Sequence, residues 1–289
     1  MPDPSAPTNI SWSCHSDVGR FRKNNEDTFL GLQFDGHEMQ YLGKTGSSSL
    51  QETDFVFAVS DGMGGKASGE FASKITIEKT TKLLPRSFQQ TASGMSSGFR
   101  DVLAELFTQI HKSVTYLGNA YEECRGMGAT LSLAWFIPGW MYFGHVGDSR
   151  IYYLPASGEL KQLTDDHTRP GWLRRRNEIN EREARNHPAK NSLQQSLGSN
   201  FQFLEPHIGA VGCEPGDRFL ICSDGLVDGL WDHRIADVLR EEKSPQVGQL
   251  IVDEAVRASG RDNTTAVVID FSALTPCRLP ALWSSSTVL

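Results

Sequence analysis

Twice in this chain an apolar run ends in the same way. Val59-Ser60-Asp61-Gly62 and Cys222-Ser223-Asp224-Gly225 each place an aspartate directly after a strand-like stretch and directly before a glycine. Two further strand-like runs carry acidic residues at their ends, in Gly147-Asp148-Ser149-Arg150 and Gly260-Arg261-Asp262-Asn263-Thr264, and Glu26-Asp27 precedes the apolar pair Phe29-Leu30. If these strands share a sheet edge, their carboxylates converge in one cleft. Asp-Gly also forms turns for purely local reasons, so any one of these sites taken singly is equally a turn. The repetition gives the pattern its weight. Crowded carboxylates repel one another and take up protons unless cations neutralise them. An all-oxygen set suits Mg²⁺ or Mn²⁺, and the lack of a Cys or His cluster disfavours zinc. A glycine after a ligand lets the backbone turn and bring its carbonyl close. An EF-hand is excluded, because neither Asp61 nor Asp224 is followed by that loop's alternating oxygen ligands and terminal glutamate.

A formal net charge of -7 argues against a nucleic-acid binder, which concentrates basic residues on one face. The cysteines, Cys14, Cys124, Cys213, Cys222 and Cys277, form no Cys-x-x-Cys pair, so neither a disulfide framework nor a zinc ribbon is indicated. Met1 to Asn9 lacks a basic-then-apolar leader pattern. The most apolar stretch, Ala129 to Phe143, is broken by Pro138-Gly139, which marks a turn between two strands and not a membrane span. A reduced, cytoplasmic protein with no membrane partner is the expectation.

Helical periodicity is strongest over about Ser97 to Leu117, where Phe99, Val102, Leu103, Leu106, Ile110, Val114 and Leu117 share a face. Other helices are predicted after Gly65, after an Asp232 cap, and from Ser244-Pro245 to near Gly260. Strands are predicted at Phe55–Val59, Ala129–Ile137, Trp140–His145, Arg150–Leu154, Phe219–Cys222 and Thr264–Phe271. The turns at Pro138-Gly139 and Gly147-Asp148 read as successive hairpins. Gly43 to Asp54 and Pro85 to Gly98 read as loops. Grouped strands and paired helices suggest an antiparallel α+β architecture.

The chain resembles the PPM family of type 2C protein phosphatases, and in particular its bacterial branch. The resemblance begins with Ser16 to Asp27 and continues through Asp61-Gly62-Met63-Gly64-Gly65, Gly128-Ala129-Thr130 and Gly147-Asp148-Ser149-Arg150. Leu163-Thr164-Asp165-Asp166-His167, His187-Pro188, Ser223-Asp224-Gly225-Leu226 and Arg261-Asp262-Asn263-Thr264-Thr265 complete it. It implies a four-layer sandwich: two antiparallel β-sheets flanked by pairs of antiparallel α-helices. It divides the chain into a disordered N-terminus (1–10), a phosphatase domain (11–271) with a flap around 165–198, and a C-terminal tail (272–289).

The resemblance also implies roles. Asp61 would bridge two metals, with the Gly62 carbonyl on one of them; Asp224 and Asp262 would bind the first metal, and Glu26 would hold water on the second. Asp27 would stand beside the metal-bound water, and Asp148 with Asp224 would form a third metal site. Asn263 would support Asp262. Water bridging two cations loses a proton readily and attacks phosphorus in line, while Arg22 grips two phosphate oxygens with its planar fork. The implied cofactors are Mn²⁺ or Mg²⁺, two in the core and a third beside them. The implied substrates are phosphoserine and phosphothreonine in proteins, among them a Ser/Thr protein kinase. Eukaryotic relatives carry histidine at the position of Met63, and several bacterial relatives carry it at the position of Lys66. With neither present, metal-bound water, His145, His167 or His187 is left to supply the final proton. Arg20 and Lys23 read as solvated surface charges. In the flap, Arg174, Arg175 and Arg176 read either as a solvated helix face or as an attraction for acidic phosphopeptides. An inactive binding module built on the same fold is the alternative function, disfavoured by the presence of Asp61, Asp148, Asp224 and Asp262.

Overall fold

The structure, a computed structural model, describes residues 8–35, 38–51, 53–64, 68–92, 98–198 and 204–273. Its strands are β1 (Thr8–Asp17), β2 (Asp27–Phe34), β3 (Met39–Tyr41), β4 (Thr45–Ser49), β5 (Asp54–Met63), β6 (Gly128–Ala129), β7 (Leu131–Ile137), β8 (Trp140–Val146), β9 (Arg150–Leu154), β10 (Lys161–Gln162), β11 (His207–Gly212), β12 (Arg218–Cys222) and β13 (Thr264–Ala273). Its helices are α1 (Ser68–Ala92), α2 (Phe99–Ala120), α3 (Arg169–Arg175), α4 (Glu181–Arg185), α5 (Asp224–Gly229), α6 (Asp232–Glu241) and α7 (Val247–Ala258).

The strands form two antiparallel sheets. One runs β10-β9-β12-β13-β1-β4, and the other runs β11-β8-β7-β5-β2-β3, with β6 paired to β5. Alternation along each strand separates three cores. On β5, Phe55, Phe57 and Val59 face the second sheet, while Val56 and Ala58 face the α1–α2 layer. On β13, Val267, Ile269 and Phe271 join the inter-sheet core, while Ala266 and Val268 pack with α5, α6 and α7. The order is therefore helices, sheet, sheet, helices, the sandwich expected for this α+β chain. Both sheets are apolar on both faces, which is why their central strands read as nearly continuous hydrophobic runs.

Several local expectations change. Gly43 to Asp54 is not wholly loop: Thr45–Ser49 pairs with β1 as an edge strand, held by the main-chain ladder and not by any apolar pattern. Pro85 lies inside α1, which continues to Ala92; 93–97 lie outside the described residues. The pair Pro138-Gly139 does close a hairpin between β7 and β8. Gly147-Asp148 does not: β8 belongs to one sheet and β9 to the other, so this turn carries the chain across the sandwich. The helix assigned to an Asp232 cap has Trp231 at its cap, and the helix after Ser244-Pro245 starts only at Val247. β1 begins at Thr8 and β13 reaches Ala273; 1–7, 274–289 and Lys66 lie outside the described residues.

Candidate metal centre and active site

The acidic residues gather where the two sheets end together. Asp27 opens β2 and stands opposite Asp61 of β5 in the strand register. Asp148 follows β8, Asp224 follows β12 as the first residue of α5, and Asp262 precedes β13. Two sheets thus contribute to one cleft, as the strand-end pattern implies.

Main-chain contacts hold these ends in place. The Asn263 side chain accepts from the Glu26 N–H at 2.7 Å and donates to the carbonyls of Val18 and Asn24 at 2.9 and 3.0 Å. It therefore ties the 18–26 turn to the start of β13, a firmer support than adjacency to Asp262 alone suggests. Asp61 is fixed from both sides by Thr130, whose Oγ1 accepts from the Asp61 N–H at 3.0 Å and whose N–H donates to the Asp61 carbonyl at 2.8 Å. The two glycines after the repeated Ser-Asp are set by close approach. A Cβ on Gly62 would lie 1.9 Å from the Gly69 carbonyl oxygen, and one on Gly225 would lie 2.0 Å from that of Asn263. The preceding serines diverge: Ser60 donates to the Thr130 carbonyl at 2.7 Å, whereas Ser223 donates to the Asp27 carboxylate at 2.6 Å.

The site is electrostatically frustrated without counter-charge. Burial, then Asp27, Asp224, Asp148 and Asp262, push the Asp61 carboxyl well above its ordinary range. Asp224 is raised in the same sense by burial and by Asp148, Asp262, Asp228 and Asp27. Burial raises Asp27 to about 6, against the pull of Ser223 and Thr265, and raises Asp148 to about 7. Glu26 is raised by burial, with Arg22 opposing.

The residues fit hard divalent cations. One oxygen each of Asp27 and Asp224 is buried with no hydrogen-bond partner among the described residues. A buried carboxylate oxygen left unpaired is costly, and a cation satisfies it. Among the described residues no three Asp, Glu, His or Cys side chains already stand as a closed ligand set. Carboxylates without a neutralising charge repel one another, and Asp262 is instead engaged by the Arg22 guanidinium at 2.5 Å.

The histidines have partners of their own. His145 is fully buried, with Nδ1 beside Ser132 Oγ at 2.9 Å and Nε2 aimed at the Gly147 and Asp165 carbonyls at 3.0 and 3.2 Å. Burial, with His167 and His207 nearby, holds its pKa well below the ordinary histidine value. His167 Nδ1 accepts the Gly147 N–H at 3.1 Å, and burial lowers that ring to about 4. His187 Nδ1 accepts the Ala189 N–H at 3.1 Å. Met63 pairs with Gly128 in the strand register, as a packing residue.

At the end of α3 each of the three arginines has its own carboxylate: Arg174 with Asp232 at 2.6 Å, Arg175 with Asp165 at 2.8 Å and Arg176 with Glu178 at 2.5 Å. Arg20 is not a free surface charge, since it donates to the Val256 and Arg257 carbonyls at the C-terminus of α7. The sequence reading missed Asp228, one turn after Asp224 on α5, whose charge bears on both Asp148 and Asp224. Its i, i+4 spacing from Asp224 is the signal that could have found it.

A sequence profile for protein phosphatase 2C matches residues 41–249, a stretch that includes Asp61, Asp148 and Asp224. The chain belongs to the protein phosphatase 2C family. It is 30% identical over 264 residues to the serine/threonine protein phosphatase PstP of Mycobacterium tuberculosis, covering 90% of this chain but 45% of that protein, so it spans about half the length of this relative. It is 31% identical over 258 residues to a putative protein phosphatase 2C-type of Streptococcus pyogenes, covering 89% of this chain and 96% of that one. Among solved structures, the catalytic domain of PstP in complex with two manganese ions superposes with a TM-score of 0.70 at 29% identity, covering 92% of this chain and 99% of that one. The family's fold is therefore the sandwich described above.

Proposed function

We propose that this chain is a metal-dependent protein phosphatase that hydrolyses phosphoserine and phosphothreonine. The observation that carries this reading is the convergence of Glu26, Asp27, Asp61, Asp148, Asp224 and Asp262 from both sheets on one cleft, with buried carboxylate oxygens of Asp27 and Asp224 unpaired. The manganese-bound relative supports Mn²⁺ as a cofactor. Asp61 and the Gly62 carbonyl would hold the core cations together with Asp224 and Asp262, while Glu26 would hold water on one of them and Asp27 would stand beside that water. Asp148 with Asp224 would hold a third. When bound, these cations acidify water and neutralise charge on the transferring phosphoryl group.

The chain's own groups supply orientation. Asp27, whose carboxylate accepts from Ser223, would take a proton from the attacking water. Arg22 is half-exposed and paired with Asp262. Once Asp262 is committed elsewhere, its planar fork is free to take two phosphate oxygens. Arg175 and Arg176, the more exposed flap arginines, offer positive charge to an acidic phosphopeptide. The partners are phosphoproteins, including a Ser/Thr kinase whose action this enzyme reverses. We place its action in the cytoplasm; no helix among the described residues is long and apolar enough to cross a membrane.

Hydrolysis of p-nitrophenyl phosphate and of a phosphothreonine peptide by chelator-stripped protein tests the reading. Activity is expected to return with Mn²⁺ or Mg²⁺ and to vanish again with chelator. Metal-independent hydrolysis, or none with any metal, would overturn it.

A further inference from the structure

Four contacts tie the flap to the corner where α5 meets α6. Arg174 donates to Asp232 at 2.6 Å, the Asp232 N–H donates to Glu181 at 3.1 Å, and Arg185 donates to the Leu230 carbonyl. The fourth is Lys190, whose ammonium reaches both oxygens of Asp228, at 3.0 and 2.9 Å. This last contact differs in kind. The acceptors of the first three lie toward α6 or on the flap itself, and Asp232 is further occupied by the Tyr152 hydroxyl at 2.9 Å. Arg150, Arg174, Arg185 and Lys190 all line the cleft that holds Asp148, Asp224 and Asp228, but Lys190 is the one of these cations whose ion pair is with Asp228, the others being paired with Asp166, Asp232 and Glu181.

The chemistry of that cleft makes Lys190 more than a surface partner. An ammonium brings one charge and hydrogen-bond donors; a divalent cation brings two charges and accepts lone pairs directly. Both neutralise the same carboxylates, and a cation entering beside Asp228 meets the ammonium as a like charge. We propose that Lys190 is an internal counter-cation of the Asp148–Asp224–Asp228 cleft, so that seating of the flap and loading of this outer cation oppose each other. This rests on the metal-dependent reading given above. By linkage, the factor by which the Lys190 latch weakens outer-cation affinity equals the factor by which that cation loosens the flap. Lys190 is therefore a positioning residue for the flap and for the outermost metal, not a group that touches the reacting phosphate.

The test titrates Mn²⁺ into the chelator-stripped full chain by calorimetry, comparing the parent with Lys190→Met and Lys190→Arg. Lys190→Met is expected to tighten the weakest class of site by about two- to fivefold, the range of a partly exposed ion pair, with the tighter sites unchanged. Lys190→Arg, which keeps the charge, is expected to follow the parent. Amide exchange over 186–192 is expected to quicken when the parent is saturated with Mn²⁺, and in Lys190→Met to be quicker than in the metal-free parent with little further change on adding metal. Identical isotherms for all three chains, or an arginine variant that behaves like methionine, overturn the role of Lys190 while leaving the metal reading intact. A parent chain that binds no Mn²⁺ overturns both.

Discussion

Asp27 and Asp61 face each other across neighbouring strands, an arrangement that like charges ordinarily avoid. Its consequence is a pH dependence whose sign follows from the raised carboxyl pKa values. A carboxyl with a raised folded pKa holds a proton more tightly when folded, so the stabilisation is complete below the unfolded value of about 4. That stabilisation is lost as pH rises through the folded values, about 6 for Asp27 and about 7 for Asp148. In chelator, the urea midpoint is therefore expected to fall between pH 5 and pH 7.5. With saturating Mn²⁺ the trend is expected to reverse, because the cation binds the deprotonated carboxylates. A chelated midpoint that rose with pH would contradict the charge distribution described for this site.

At the scale of elements, the site depends on how closely α5 approaches the start of β13. Gly225 sets that distance, since a Cβ there would collide with the Asn263 carbonyl. Gly225→Ala is expected to push Asp224 away from Asp262 and lower kcat/KM by about 100-fold, the scale associated with ångström-level misplacement. Circular dichroism is expected to stay close to the parent's. The Ser-Asp-Gly strand ends were legible in the sequence because each aspartate follows a run buried on both faces. The strands β5, β7, β8, β9, β12 and β13 and the helix α2 were legible for the same reason, as burial writes itself into spacing. What could not be read depends on distant partners. β4, with the sequence Thr-Gly-Ser-Ser-Ser, is a strand only because β1 offers it a ladder. The crossing at Gly147-Asp148 looks like a hairpin until the two sheets are assembled. The Lys190–Asp228 pair joins the stretch after α4 to α5, and nothing local to either announces the other.

For the molecule as a whole, the inter-sheet core couples the two halves of the centre. Phe136 is fully buried and meets Phe57, Phe219 and Phe271 at ring distances of 6.1, 5.3 and 5.5 Å, with Phe57 on its own sheet and the other two on the facing one. Phe136→Ala is expected to cost about 3–5 kcal/mol of unfolding free energy by urea titration, and to weaken Mn²⁺ binding although it touches no ligand. An unchanged metal affinity would show that the sheet ends hold their spacing without this core. Among the described residues the first strand, β1, lies between β4 and the last, β13, with Thr8 opposite Ala273. During synthesis the six-stranded sheet therefore has a gap in its middle until 264–273 leave the ribosome, and Asp262 emerges only just ahead of them. A nascent or stalled chain can carry every other carboxylate and still have no assembled centre. Emergence of 264–273 is thus the event that closes the sheet and brings Asp262 within reach of Asp224.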